Sequence, residues 1–129
     1  MKPCALIVDD DCDMLRLVEL TLKKLGIEVL LSDEGPEALR LARDEHPDVI
    51  LLDIMMPGMD GYELMQRLKA GEDTRDIPVI MLTAKSHLND RKKSEEMGAA
   101  GYITKPFRLE NLRNLVQGLT CENPQASDK

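Results

Sequence analysis

Val49-Ile50-Leu51-Leu52-Asp53 is a continuous apolar run that ends in a carboxylate. Continuous apolar runs of this length suit strands that are buried on both faces of a sheet. Four more runs recur at similar spacing, and the last is weaker than the others: Cys4 to Val8, Val29 to Leu31, Val79 to Leu82, and Gly101 to Thr104. The sequence therefore predicts five short strands.

Segments with helical spacing of apolar residues lie between the runs. Gly26 is a good stop for the first helix, and Gly35-Pro36 is a good start for the second, because proline is favoured in the first turn. The residues expected to face inward from four helices are Met14, Leu15, Val18, Leu22, Leu25, Ala38, Leu39, Ala42, Leu64, Met65, Leu68, Leu109, Leu112, Leu115, Val116 and Leu119. Parallel strands need right-handed crossovers, so this alternation predicts a doubly wound α/β fold with helices on both faces of a parallel sheet.

Two segments differ from this pattern. Leu88 to Met97 offers almost no apolar face, so a helix there would be loosely held. Residues 121–129 lack periodicity and are expected to form a flexible tail. We therefore expect one domain over residues 1–120.

Composition excludes several classes of function. The chain has 129 residues, 43% of them hydrophobic, and a net charge of -7 that argues against direct binding to nucleic acid or anionic membranes. Cys4, Cys12 and Cys121 form neither a CxxC pair nor a Cys/His cluster, so neither a disulfide nor a zinc framework is expected. The N-terminal apolar stretch is too short for the core of a signal peptide, so we expect no export signal, and no stretch approaches the roughly 18 apolar residues of a membrane span. We expect a cytoplasmic protein with reduced thiols.

Polar residues follow four of the predicted strands, where ligands bind in open α/β sheets. These residues are Asp9-Asp10-Asp11, Asp53, Thr83 and Thr104-Lys105. Each has an ordinary explanation when taken alone. The acid triplet is typical of a solvated first helical turn, which we favour for Asp11, and Asp53 of a capped turn. Thr83 is typical of a strand end, and Lys105 of a surface charge. Their joint placement favours a binding site that contains Asp9, Asp10, Asp53, Thr83 and Lys105.

Facing carboxylates require a counter-charge. Two of them at 4 Å repel by about 4 kcal/mol at an effective dielectric near 20. Oxygen ligands without a neighbouring His or Cys favour Mg²⁺, which needs only one or two carboxylates plus a phosphate. An ionised Asp can attack phosphorus to form an acyl phosphate, so the pattern is typical of phosphoryl transfer to an aspartate.

At these residues the chain resembles the response-regulator receiver family of two-component phosphorelay signalling. The resemblance covers Cys4 to Leu119. It rests on four motifs: Leu6-Ile7-Val8-Asp9-Asp10-Asp11, Leu51-Leu52-Asp53-Ile54-Met55-Met56-Pro57-Gly58-Met59-Asp60-Gly61, Met81-Leu82-Thr83-Ala84, and Gly101-Tyr102-Ile103-Thr104-Lys105-Pro106-Phe107. It implies a flavodoxin-like sheet of strand order 2-1-3-4-5.

The resemblance also implies a role for each matching residue. Asp53 is the phosphoacceptor, and the Mg²⁺ ligands are Asp9, Asp10, Asp53 and the Met55 backbone carbonyl. Thr83 and Lys105 bind the phosphoryl group, Thr83 and Tyr102 form the switch, and the peptide bond between Lys105 and Pro106 is cis. The domain is then not an enzyme in the usual sense, but a regulatory phosphoacceptor with Mg²⁺-dependent self-phosphorylation and autodephosphorylation.

The implied partners are a histidine kinase or a histidine phosphotransfer protein as donor, and an output protein of unknown identity. The output surface is expected to combine the Leu88 to Met97 helix, the Gly101 to Thr104 strand and the last helix. Because the chain stops soon after the last helix, a stand-alone regulator is expected.

Two other classes of function share parts of this pattern. A magnesium phosphohydrolase of the haloacid-dehalogenase kind places its nucleophile after the first strand, in a DxD pattern followed by Ser or Thr, whereas Cys12 follows the acids here. A flavodoxin-like nucleotide binder needs a hydroxyl- or glycine-rich loop after the first strand. Three aspartates at that place would repel a phosphate.

Overall fold

A five-stranded sheet of order β2-β1-β3-β4-β5 organises the chain. The computed structural model of the protein describes residues 3–53, 61–84, 92, 95–105 and 109–120. The strands are β1 (Cys4–Val8), β2 (Glu28–Ser32), β3 (Val49–Asp53), β4 (Val79–Ala84) and β5 (Gly101–Lys105). All neighbouring strands are parallel. The predicted doubly wound, flavodoxin-like α/β fold of a single domain is confirmed, including its strand order.

Four helices of the described residues cover the two faces of the sheet: α1 (Cys12–Lys24), α2 (Gly35–Glu45), α3 (Gly61–Ala70) and α4 (Leu109–Thr120). Alternation along the strands divides the core, because successive side chains of a strand point to opposite faces. Leu6 and Leu52 pack with buried residues of α2 and α3. Ile7 and Leu51 pack with buried residues of α1 and α4.

Most residues expected to face inward from the helices do so. Those that are buried are Leu15, Val18, Leu22, Ala38, Ala42, Leu64, Met65, Leu68, Leu112 and Val116. Partly buried residues that pack against the core are Met14, Leu25, Leu39 and Leu115. The side chains of Leu109 and Leu119 lie outside what the structure describes.

The second strand differs from its prediction. Val29, Leu30 and Leu31 are only partly buried, whereas every residue of β3 is buried. The difference arises because β2 is an edge strand and has a paired neighbour on one side only. A continuous apolar run therefore does not by itself distinguish an edge strand from a central one.

Some expectations fall on residues that the structure does not describe. Of the Leu88 to Met97 segment, only Lys92 and residues 95–97 are described, and residues 121–129 lie outside the description. Cys4 and Cys12 are free thiols. Among the described residues, no helix has the length and apolar character needed to cross a membrane.

The end of α1 shows why Gly26 stops the helix. Gly26 N–H donates to the Lys23 carbonyl at 3.0 Å, and Ile27 N–H donates to the Leu22 carbonyl at 3.1 Å. This pair of bonds is a Schellman motif, in which the residue after the cap adopts a left-handed conformation, and Gly26 has φ +80. Glycine adopts that conformation without the cost that a Cβ atom adds.

We predict opposite effects for alanine at two glycines. Gly26→Ala meets no atom within 4 Å but is strained at φ +80, so it should lower the free energy of unfolding by about 1 kcal/mol. Gly118→Ala, in α4 and equally free of close contacts, should raise it by about 0.5 kcal/mol through helix propensity. Urea unfolding of both variants checks this pair. Equal stabilities would contradict the account of the helix end.

Candidate metal centre at the carboxyl edge of the sheet

Three carboxylates meet where β1 and β3 end. Val8 pairs with Leu52 in the sheet, so the residues that follow them, Asp9 and Asp53, come side by side. One carboxylate oxygen from each of Asp9, Asp10 and Asp53 lies within 4.8 Å of the others. The sequence predicted this convergence from strand ends alone, and the structure brings these three residues together.

Burial raises the electrostatic free energy of this cluster of carboxylates. Asp9 is 0% exposed and Asp53 is 5% exposed, whereas Asp10 is exposed to solvent. Carboxylates withdrawn from water lose hydration, and close neighbours of the same charge repel one another. A small divalent cation offsets both effects, and a set made only of oxygen atoms suits Mg²⁺. The residues present therefore fit the predicted ion, with Asp10 on the side that faces solvent.

Asp9 is held both through its backbone and through one carboxylate oxygen. Its backbone N–H donates to the Ser32 carbonyl at 3.1 Å, and its Oδ1 atom accepts a hydrogen bond from Asp11 N–H at 3.0 Å. Ser32 is itself buried, and its hydroxyl donates to the Glu34 carbonyl at 2.8 Å. The end of β2 thus supports the end of β1.

Ser32 was absent from the sequence-based candidates. The available signal was its position directly after the apolar run of β2, at the same edge as Asp9 and Asp53. A serine at a strand end has no distinctive chemistry, and Ser32 contacts Asp9 through its backbone carbonyl, so only the observed hydrogen bond places it beside the site.

Asp11 lies at the start of α1, outside the group of three carboxylates. It is the N-cap residue, and its side chain accepts hydrogen bonds from Asp13 N–H at 3.0 Å and Met14 N–H at 3.3 Å. N-cap acids satisfy first-turn N–H groups and interact favourably with the helix dipole. The interpretation of Asp11 as a first-turn residue is confirmed.

The remaining site residues are described only in part. Asp53 pairs with Leu82 in the sheet, so the backbone of Thr83 begins one residue beyond the end of β3. Tyr102 pairs with Met81 on β4 and is partly buried. The side chains of Thr83 and Lys105, and the whole of Met55 and Pro106, lie outside what the structure describes. Their predicted roles, and the cis peptide, stay predictions.

Cys4 lies at the opposite, amino edge of the sheet. Burial raises the pKa of its thiol, and the nearby carboxylates of Asp48, Glu28 and Glu45 raise it further. A thiol whose pKa is raised stays protonated and is a poor nucleophile. Cys4 is therefore poorly suited to act as a nucleophile.

Comparison with known proteins adds independent findings. The family model described as "Response regulator receiver domain" matches residues 5–117. The DNA-binding dual master transcriptional regulator RpaA of Synechocystis is 40% identical over 128 residues, which cover 97% of this chain and 53% of RpaA. The transcriptional regulatory protein PrrA of Mycobacterium tuberculosis is 43% identical over 118 residues, which cover 92% of this chain and 50% of PrrA. The chain spans about half the length of these curated relatives.

Solved structures have the same fold. A putative response regulator from Chloroflexus aurantiacus superimposes with a TM-score of 0.88 at 34% identity, covering 92% of this chain and 98% of that one. The receiver domain of sensor histidine kinase PA1611 from Pseudomonas aeruginosa, solved with a magnesium ion coordinated in its active-site cleft, gives a TM-score of 0.84 at 32% identity, covering 92% and 98%. Fold, acidic cluster and sequence agree, and the chain belongs to the response regulator receiver domain family of two-component signalling.

Proposed function

We propose that this receiver domain is a switch in which Asp53 accepts a phosphoryl group while Asp9 and Asp10 hold Mg²⁺. The observation that carries the proposal is the meeting of the three carboxylates within 4.8 Å. Asp53 is buried, at 5% exposed, but it lies beside the exposed Asp10, on the side from which a donor would approach. Bound Mg²⁺ would neutralise charge on the carboxylates and on the incoming phosphoryl oxygens.

The proposed donor is a phosphohistidine of a sensor kinase or of a histidine phosphotransfer protein. An Asp53 carboxylate oxygen attacks phosphorus, the phosphorus–nitrogen bond to the donor imidazole breaks, and the imidazole keeps the electron pair. Thr83 and Lys105 bind the remaining phosphoryl oxygens. Attack of water on the same phosphorus later regenerates the Asp53 carboxylate and releases inorganic phosphate, which is the proposed autodephosphorylation.

We propose residues 1–120 as the phosphoacceptor domain and residues 121–129 as a flexible tail. The family match over residues 5–117 supports the first part. The relatives are transcriptional regulators about twice as long as this chain. The net charge of -7 supports an output through protein contacts of this domain rather than its own binding to DNA. Free Cys4 and Cys12 thiols fit the reducing cytoplasm, where we propose that the protein acts.

We propose that the output surface combines the Leu88 to Met97 segment, β5 and α4. Tyr102 is partly buried on β5, and β5 lies beside β4, the strand that carries Thr83. A phosphoryl group that draws the Thr83 hydroxyl toward Asp53 would leave space into which the Tyr102 ring turns. Such a switch requires a few kcal/mol of difference between states, which a charge-assisted hydrogen bond and a lysine contact can supply.

Removal of one metal ligand should weaken Mg²⁺ binding. Asp10→Asn keeps the side-chain shape and removes one charge, so we expect affinity to fall about tenfold or more, since even residues behind metal ligands contribute about 10- to 100-fold. Calorimetric titration measures it. Asp73→Asn, an exposed acid in the turn before β4, makes the same charge change elsewhere and should leave the affinity unchanged. If both variants bind Mg²⁺ as wild type does, Asp10 is not a ligand.

Asp53→Asn should abolish phosphorylation without unfolding the protein, because the two side chains are nearly isosteric. After incubation with acetyl phosphate and Mg²⁺, the intact mass of wild type and of Asp73→Asn should increase by one phosphoryl group. The mass of Asp53→Asn should not change. Phosphorylation of Asp53→Asn at the wild-type level would assign the acceptor to another residue.

Hydrogen exchange locates the output surface. With a beryllofluoride mimic of the phosphoryl group, the largest change outside the site should fall in residues 84–102. Asp53→Asn, which cannot hold the mimic, should show no change and serves as the control. A response confined to α1, with residues 84–102 unchanged, would place the output surface elsewhere.

A further inference from the structure

Asp11 is connected both to the carboxylate cluster and to the first helix. Its backbone N–H donates to Asp9 Oδ1 at 3.0 Å. Its side chain accepts from the N–H groups of Asp13 and Met14 at 3.0 Å and 3.3 Å. One residue therefore joins a member of the cluster to the first turn of α1.

We propose that Asp11 is a positioning residue for the Mg²⁺ ligands Asp9 and Asp10, an inference that rests on the proposed function. The Asp11 N–H fixes one oxygen of Asp9. Asp10 lies between the two residues joined by this bond, so the same turn sets the direction of its carboxylate. The Asp11 carboxylate itself is not one of the three that meet within 4.8 Å.

The N-cap bonds of Asp11 attach the turn of residues 9–11 to helix α1. Asp11 has φ -92 and ψ 106, an extended conformation typical of N-cap residues. The helix that it caps is anchored to the sheet through buried Leu15, Val18 and Leu22. Without a side-chain acceptor at residue 11, two first-turn N–H groups lose their partner and the start of α1 frays. The Asp11 N–H is then no longer held against Asp9.

The charge of Asp11 offers a second explanation for an effect on Mg²⁺ affinity, and two variants distinguish it from positioning. The negative charge of Asp11 would attract a cation at the neighbouring site even without any positioning. Asp11→Asn removes the charge but keeps an oxygen that accepts the same hydrogen bonds, and Asn is as good an N-cap residue as Asp. Asp11→Ala removes both. Salt near 0.15 M, with a Debye length of about 8 Å, reduces the contribution of charge alone.

A variant far from the carboxylates serves as the control for an effect of lower stability alone. The Thr74 hydroxyl is buried and donates to the Leu68 carbonyl at 2.6 Å, near the end of α3. Thr74 precedes β4, so it lies toward the amino edge of the sheet, away from Asp9. Thr74→Val removes this bond with little change of shape. It reports how a destabilised but otherwise intact protein binds Mg²⁺.

The test is Mg²⁺ affinity, measured by calorimetry on the wild type and the three variants, with urea unfolding of each. We expect Asp11→Ala to bind about tenfold more weakly, in the range found when residues behind metal ligands are removed. Asp11→Asn and Thr74→Val should bind as wild type does, although Thr74→Val is less stable.

Equal weakening by Asp11→Asn and Asp11→Ala would assign the effect to charge and overturn the inference. Unchanged affinity in Asp11→Ala, or weakening in Thr74→Val of the same size, would also overturn it while leaving the proposed function in place. A wild-type protein that binds no Mg²⁺ would overturn the inference and the proposed function together.

Discussion

Parallel pairing of β1 with β3 places two buried acidic residues, Asp9 and Asp53, at the same edge of the sheet. With Asp10, they form a cluster within 4.8 Å, and two unit charges at that distance repel by about 3.5 kcal/mol at an effective dielectric near 20. A domain of this size is stable by only about 5–15 kcal/mol. Like charges held this close destabilise the fold unless a counter-charge is present, and a bound divalent cation would supply one.

The remainder of the fold makes this arrangement possible. Every residue of β3 is buried, and so are Ala5 to Val8 of β1, so the two strands that carry Asp9 and Asp53 lie at the centre of a core with helices on both faces. Strands anchored in this way hold their last residues in fixed positions. The hydrogen bonds of Asp9 to Ser32 and Asp11 then fix the backbone and one oxygen of the central carboxylate.

Sequence reasoning identified the parts of the site that depend on strand order and strand ends. Asp9, Asp10 and Asp53 follow apolar runs, and parallel strands bring such residues to one edge, so their convergence was predictable. The partial exposure of β2 was not predictable, because an apolar run contains no information about which strand lies at the edge. The bond from Asp9 N–H to the Ser32 carbonyl was also beyond prediction, since it depends on how β1 and β2 meet rather than on residue type.

The dependence of stability on Mg²⁺ shows whether the carboxylates are held together for a cation. A cation that binds the folded cluster and not the unfolded chain should raise the free energy of unfolding by about 2.7 kcal/mol at a concentration about 100 times its Kd. Urea unfolding should therefore shift with added Mg²⁺ at constant ionic strength, and Asp10→Asn should be more stable than wild type without Mg²⁺ but gain less from it. If Mg²⁺ leaves the unfolding of wild type unchanged, the carboxylates are not held together for a cation and the account is wrong.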